Sequence, residues 1–208
     1  MGQLSYSLFK KKDIPATVEC ITKVFLYDEP MTKILKIKKS EFKIFIESIC
    51  EKAVKEKMSY ICKDGDKVVG FRLNEDLISE PIPESIKITK KIDPIFALLD
   101  KLEEKFLKNK RRIKGKYFHL FMVGSLKEYQ NRGIAKKLIN KTLLLAKKKK
   151  FKKAVTKVTN IKSKTLLKKH FNFEEITKIN YKTFKFRGES IFKNIDEKAC
   201  TLMTLKLK

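Results

Sequence analysis

The residues of this 208-residue chain best suited to chemistry are Gln130-Asn131-Arg132-Gly133-Ile134-Ala135. They follow a continuous apolar run, Tyr117-Phe118-His119-Leu120-Phe121-Met122-Val123, and precede Leu138, Ile139, Leu143 and Leu145 at helical spacing. A buried strand that turns directly into a helix exposes several main-chain N–H groups at the positive end of the helix, which suits a pyrophosphate. Gly133 lets the backbone come close to a ligand, and Ala135 is small enough to do nearly the same. Taken alone, the stretch reads equally well as a plain strand–helix connection. The Rossmann and P-loop patterns are excluded, because the chain has neither G-x-G-x-x-G nor G-K-[ST].

Other chemistries find little support. Cys20, Cys50, Cys62 and Cys200 form no C-x-x-C pair, and Cys20 and Cys50 sit among apolar neighbours as small core residues do. His119 and His170 make no metal-ligand spacing. A reducing compartment and no metal are therefore expected. The formal net charge is +26, from 50 Lys+Arg against 24 Asp+Glu, which invites a nucleic-acid reading. Only five of the fifty are Arg: Arg72, Arg111, Arg112, Arg132 and Arg187. Recognition of phosphates and base edges favours the planar Arg fork, whereas here Lys is spread through every segment. A solvated Lys surface that attracts anionic cofactors is the better reading, and no specific nucleic acid is expected.

The elements that must position these residues follow from periodicity. With 42% hydrophobic and 10% aromatic residues the chain can bury a core, so global disorder is excluded. No apolar run approaches the ~20 residues that span a bilayer. The start, Met1-Gly2-Gln3-Leu4-Ser5-Tyr6, lacks the apolar stretch of a signal peptide, and Tyr6 stands where a myristoylation signal wants Ser or Thr. A cytoplasmic protein is expected. Residues 4–9 alternate as a strand does. Asp13 is a plausible N-cap for a helix with Ile14, Val18, Ile21 and Phe25 on one face, ending near Asp28-Glu29 because Pro30 disfavours helix before it. A second helix opens at Ser40. Asp64-Gly65 marks a hairpin between Tyr60-Ile61-Cys62 and Val68–Leu73. A third helical stripe runs Ile92, Phe96, Leu99, Leu102, Phe106. A strand at Ala154–Thr159, a helix at Lys164–His170 and a strand pair, Ile176–Phe186 with Lys198–Leu207 around Arg187-Gly188, complete the chain. The order β-α-α-β-β-α-β-α-β-α-β-β implies an α/β sheet with helices on both faces. Breaks at 80–84 and 108–116 flank a segment rather than divide domains.

Gln130-x-x-Gly133-x-Ala135 resembles the [QR]-x-x-G-x-[GA] signature of the GNAT acetyltransferase superfamily, and the whole stretch Val123–Leu138 reads in its register. Phe25-Leu26-Tyr27-Asp28-Glu29-Pro30-Met31 is similar to the D-E-P-[LM] motif of insect-type arylalkylamine N-acetyltransferases, as are Phe173-Glu174, Ile179-x-Tyr181, Gly188 and Phe192 near the end. The resemblance covers nearly all the chain apart from 80–115. It implies one domain over 1–208, with 80–115 a variable insertion containing a helix. It implies a GNAT fold (α/β, or α+β), with a mixed, mostly antiparallel sheet of about seven strands and a splayed central pair.

For the site, the resemblance implies that main-chain groups of Gln130, Asn131, Arg132, Gly133, Ile134 and Ala135 bind the pyrophosphate of acetyl-CoA. Val123, Gly124 and Ser125 would hold the pantetheine arm and the acetyl carbonyl. Asn160 and Ser163 occupy positions that often touch this co-substrate. Glu29 would be the general base toward a small amine, an arylalkylamine or a polyamine. Chemistry agrees: an amine arrives as an ammonium and must lose a proton before its nitrogen attacks a thioester, and a carboxylate can accept it. Direct attack needs no nucleophilic Cys. The chain departs from the family in having Ser125 for the usual Val, Lys127 for Pro and Asn172 for Gly. It also has Leu166-Leu167-Lys168-Lys169 where many members carry an acidic Tyr, so the general acid is unassigned. Acetylation of a protein lysine or N-terminus is the alternative, favoured by an open groove, whereas a closed aromatic pocket favours a small amine. A non-catalytic nucleic-acid module on the same fold is a further alternative. Phe25, Phe42, Phe45 and Phe121 could line a pocket or simply fill the core. The sequence says nothing of the oligomeric state.

Overall fold

From the N-terminus the chain runs β1 (Leu4–Leu8), α1 (Ile14–Asp28), α2 (Pro30–Leu35), α3 (Lys39–Glu56), β2 (Tyr60–Asp64), β3 (Lys67–Asp76), α4 (Asp93–Leu107), β4 (Tyr117–Ser125), α5 (Ile134–Lys148), β5 (Lys153–Val158), α6 (Ile161–Phe171), β6 (Glu174–Asn180) and β7 (Ala199–Lys206). The computed structural model describes residues 3–80 and 88–208. The strands form a seven-stranded sheet in the order β1-β2-β3-β4-β5-β7-β6. Every neighbouring pair is antiparallel except β4 with β5, which is parallel. This is the mixed, mostly antiparallel GNAT arrangement.

Two glycines show how the helices divide between the faces. A side chain at Gly70 would begin 2.7 Å from Ile134 of α5, while one at Gly124 would begin 2.7 Å from Val24 of α1. Gly70 pairs with Ser125, and Gly124 pairs with Phe71. These are successive rungs of one ladder, so their side chains point to opposite faces. α1 and α5 therefore cover opposite sides of the sheet. One core carries Ile21, Phe42, Ile46, Phe71, Leu98 and Leu102, from α1, α3, α4 and the sheet. The other carries Leu120, Ile139, Leu143, Leu167 and Phe171, from α5, α6 and the sheet. Most of the expected stripes are there, but on α4 Ile95 and Leu98 are buried while the expected Phe96 and Leu99 are half-buried, and on α3 Ile46 joins the expected residues. No helix among the described residues is long and apolar enough to cross a membrane.

Four expectations need correction or completion. Asp13 precedes α1, but its carboxylate turns back to accept from Lys10 N (3.3 Å) and Lys63 Nζ (2.5 Å), so it closes a short 3-10 turn instead of capping α1. Pro30 ends α1 and also begins α2, its fixed φ and missing N–H suiting the first helical position. The last strands are shorter than expected. β6 stops at Asn180, and Arg187-Gly188, with φ of 51° and 86°, make a separate tight turn bridged by Phe186 and Glu189. Between β6 and β7 Tyr181, Phe184, Phe192 and Ile195 turn into the core, with Phe184 stacked on Phe192 at 5.8 Å, and this burial outweighs strand extension. Of the break at 80–84, only Glu80 is among the described residues. By contrast, Asn172 takes the left-handed end of α6 (φ 55°), as expected of Asn in place of Gly.

Candidate acyl-transfer site

The turn before α5 has the backbone shape that a phosphate cradle needs. Asn131 and Gly133 both have positive φ, 61° and 72°. Gly133 precedes the first residue of α5, and a side chain there would meet nothing within 4 Å, so conformation rather than crowding calls for glycine. The first N–H groups of a helix lack internal acceptors and project from its positive end. No acidic residue occupies the first turn of α5 to compete for them. The Arg132 guanidinium lies 4.7 Å from the ring centroid of Tyr129. Gln130 Nε2 donates to Asp28 Oδ2 at 3.1 Å, tying this turn to the segment that carries Glu29.

Behind the turn the sheet opens. β4 pairs with β5 only at Tyr117–Lys153, Phe118–Ala154 and His119–Val155. At the vertex Thr156 Oγ1 donates to Leu120 O at 2.8 Å. Beyond it Val123, Gly124 and Ser125 are half-buried and keep partners on β3 alone. A cavity of about 200 Å³ runs through this opening from one face of the sheet to the other. Val123, Ala135, Asn160 and Ser163 line it, as does Glu29, while Gly124, Ser125, Gln130, Asn131, Arg132, Gly133 and Ile134 do not. Asn160 is also the N-cap of α6, its Oδ1 accepting from Ser163 N at 2.9 Å.

On the α1 face the cavity is aromatic, lined by Phe25, Phe42, Phe45, Phe96 and Phe121. Glu29 enters here as the N-cap of α2. Its Oε2 accepts from both Thr32 N and Thr32 Oγ1, each at 2.6 Å, while Oε1 is buried with no partner among the described residues. A short local cap thus fixes one oxygen and leaves the other free for a ligand. The Cys200 thiol is raised to about 12 by burial and by the Glu29 charge, and burial raises the Cys20 and Cys50 thiols to about 12. All four cysteines are buried and free, as the core reading of Cys20 and Cys50 expects and as Cys62 and Cys200 prove to be too. Tyr181 donates its hydroxyl to Thr159 O at 3.0 Å and is pushed up by burial, so it is no ready proton donor.

Residues to which the sequence reading gave no site role also line the cavity. Arg72 on β3 is 2% exposed, and its Nε and Nη2 have no partner among the described residues. Burial pulls its guanidinium down to about 9, so it stays charged at neutral pH. His119 and Lys157 reach the same space. The available signal was a polar residue inside an apolar strand run: Arg72 in Val68–Leu73 and His119 in Tyr117–Val123.

The chain resembles known proteins in the same way its geometry does. The C-terminal condensation domain of Ebony, solved with beta-alanyl-dopamine, superposes with a TM-score of 0.87 at 17% identity, over 99% of this chain and 100% of that one. Arylalkylamine N-acetyltransferase 2 from Aedes aegypti gives 0.84 at 20% identity over the whole of both chains. The Drosophila melanogaster polyamine N-acetyltransferase, which catalyses the formation of N-acetylagmatine, gives 0.77 at 12% identity over 99% and 100%. At such identities the likeness is one of fold. Among curated protein sequences none matches. The model of the acetyltransferase (GNAT) family matches residues 26–173, a span that takes in Glu29, the opened β4 and the turn at Gly133. On that match the chain is an acyltransferase of the GNAT family.

Proposed function

We propose that the protein transfers an acetyl group from acetyl-CoA to a small primary amine, an arylalkylamine or a polyamine, by direct attack of the amine. The residues present fit such a donor. The turn at 130–135 offers main-chain donors to a diphosphate, the free edge of β4 can pair with an amide-bearing arm, and unpartnered polar groups face the space between. When bound, acetyl-CoA would supply the thioester carbonyl. Glu29 attracts the ammonium, and its free Oε1 takes the proton that must leave before nitrogen becomes nucleophilic. The five Phe side chains exclude water around this pair. The four thiols, buried and protonated, argue against a covalent acyl-enzyme.

The observation that carries this reading is the buried oxygen of Glu29, unpartnered among the described residues, in an aromatic cavity that continues through the sheet to Ala135 on α5 and to Asn160 and Ser163 at the start of α6. The five Phe side chains lining the Glu29 end of the cavity support a small amine over a protein lysine. The polyamine arm rests on a second cavity, of about 430 Å³, which shares Phe45, Phe96 and Phe121 with the first and is lined by Glu56, Asp100 and Glu103. Its carboxylates, with Glu75, outnumber its two lysines, Lys52 and Lys157, which pair with Glu56, Glu75 and Glu103, and this excess of negative charge is suited to a second ammonium. The test is acetyl-CoA turnover across arylalkylamines, polyamines and Lys-containing peptides. Turnover confined to peptides would overturn the small-amine reading.

A further inference from the structure

We infer that the site also accepts CoA thioesters whose acyl group ends in a carboxylate, and that Arg72 recognises this carboxylate. The inference goes beyond acetyl transfer and rests only on the CoA-thioester half of that reading. Gly70, Arg72 and Asn74 alternate along β3. A side chain at Gly70 would meet Ile134, and Asn74 Nδ2 donates to Thr142 Oγ1 at 3.4 Å, both on α5. Arg72, between them, therefore points to the α5 face of the sheet, opposite the face on which Glu29 enters. It pairs with Val123 across the β3–β4 ladder and lines the cavity together with Ile139 of α5 and Leu167 of α6. This is the face of the donor turn, and Val123 is at the level expected for the acyl carbonyl.

Charge shows what Arg72 lacks. Two other basic side chains line the cavity, and both are answered: Lys157 by Glu103 at 2.7 Å and His119 by Glu75 at 2.8 Å. Arg72 is 2% exposed, and its Nε and Nη2 have no partner among the described residues. Asn74, next on the same face, turns its amide to Met58 O at 2.8 Å and accepts nothing from Arg72. The guanidinium stays charged at neutral pH despite its burial. The acidic residues of the cavity, Asp28 and Glu29, come from the α1 side. An amine answers Glu29. An acetyl group has no charge and leaves Arg72 uncompensated, which is costly in a space closed to water. Nε–H and one Nη2–H lie parallel on one edge of the planar guanidinium. That edge matches the two oxygens of a carboxylate, whereas a lone sulfur or carbonyl oxygen offers it one atom. A carboxylate on the amine fits less well, because it would have to cross the opening that the thioester fills.

The reaction is the same transfer with a longer acyl group. The amine, having lost one proton to Glu29, forms the C–N bond to the thioester carbon. The C–S bond breaks with its electron pair on the CoA sulfur. The second amine proton leaves as the amide forms, and solvent protonates the thiolate. The distal carboxylate is unchanged throughout, so the product is an amide with a free acid at its far end. The cavity of about 200 Å³ limits the acyl chain to a few carbons.

The test compares acetyl-CoA, butyryl-CoA and succinyl-CoA on the full chain. The last two share a four-carbon chain and differ in the terminal carboxylate. Binding of each without amine is followed by calorimetry, and turnover with the best amine as kcat/KM. The wild type should prefer succinyl-CoA to butyryl-CoA about tenfold in both. Arg72→Met should move that ratio about 10²-fold toward butyryl-CoA, the loss expected when one partner of a buried charge pair is removed. Arg72→Lys keeps the charge without the fork, so its ratio should fall between the two. Equal binding of butyryl-CoA and succinyl-CoA by the wild type overturns the proposal, and this comparison decides the matter even if Arg72→Met does not fold. A loss in Arg72→Met that is the same for all three thioesters overturns it too, and would put Arg72 on the thioester itself. A succinyl preference in binding with no amine acylated by any donor upholds the proposal and removes the amine reading instead. Absence of binding by every thioester overturns both.

Discussion

The two edges of β4 are unlike. Toward β3 it is paired from Asp76–Phe118 to Gly70–Ser125, while toward β5 it keeps only three pairs. The zipped edge supports side chains, and the open edge supports main chain. The two halves of the site divide in the same way. On the donor side the devices are backbone ones, encoded within the short span from Val123 to Ala135. On the acceptor side they are side chains brought from distant segments: Glu29 before α2, Phe42 and Phe45 on α3, Phe96 on α4, and His119 with Glu75. The proposed donor side, resting on main chain, should tolerate sequence change so long as conformation is kept, Ser125 and Lys127 included. The acceptor side depends on the identity of single atoms.

The contrast can be broken at several points. The largest effect should come from Gly133→Glu. It puts a bulky anion at the turn proposed to offer main-chain donors to a diphosphate, at a φ of 72° that costs a non-glycine residue about 1–2 kcal/mol. Acetyl-CoA-induced thermal stabilisation should vanish while the variant still melts cooperatively. Retained binding would remove the turn from the donor site. Next is Glu29→Gln, which keeps shape and the Thr32 hydrogen bonds but loses basicity. Steady-state kinetics should show kcat lower by about 10²–10⁴ with donor affinity little changed, and partial recovery at high pH where more amine is already free. Unchanged kcat would place the base elsewhere.

Arg72→Met removes a buried charge that has no partner among the described residues. Replacing buried charge by a well-packed apolar chain is often stabilising, here by about 1 kcal/mol, which is ~2–4 °C in Tm for a chain of this size. A lower Tm in calorimetry would mean that the guanidinium is satisfied in the folded protein. The smallest effect belongs to Asp28→Asn. Its exposed contact with Gln130 links the two halves, and the amide can still accept that bond, so kcat should stay within about threefold, as the loss of well under 1 kcal/mol implies. A large loss would show that the halves are coupled through this contact.

Legibility in the sequence followed the same division. The order of strands and helices was readable because stripes such as Phe42, Phe45, Ile49 and Ala53 report local geometry directly. The donor turn was readable because its residues are contiguous. Glu29 with Pro30 could be placed at a helix end, but α2 was missed because a proline that stops one helix gives no warning that it starts another. The excursion over 181–198 was misjudged because Tyr181, Phe184 and Phe186 look like strand residues until one sees which core receives them. The pairing of His119 was hidden for a different reason. Its partner Glu75 lies 44 positions away, and only strand pairing brings the two together.

The opening at β4 also bears on how the molecule holds itself together. Without a ligand the sheet is close to two sheets, β1 to β4 and β5 with β7 and β6, joined at three residue pairs and a threonine hydroxyl. These are the natural units of opening when local stability is unevenly spread. A donor lying along the free edge would act as the missing length of strand. The concentration of that small molecule, and not the sequence alone, would then set how cooperatively the two halves behave as one body.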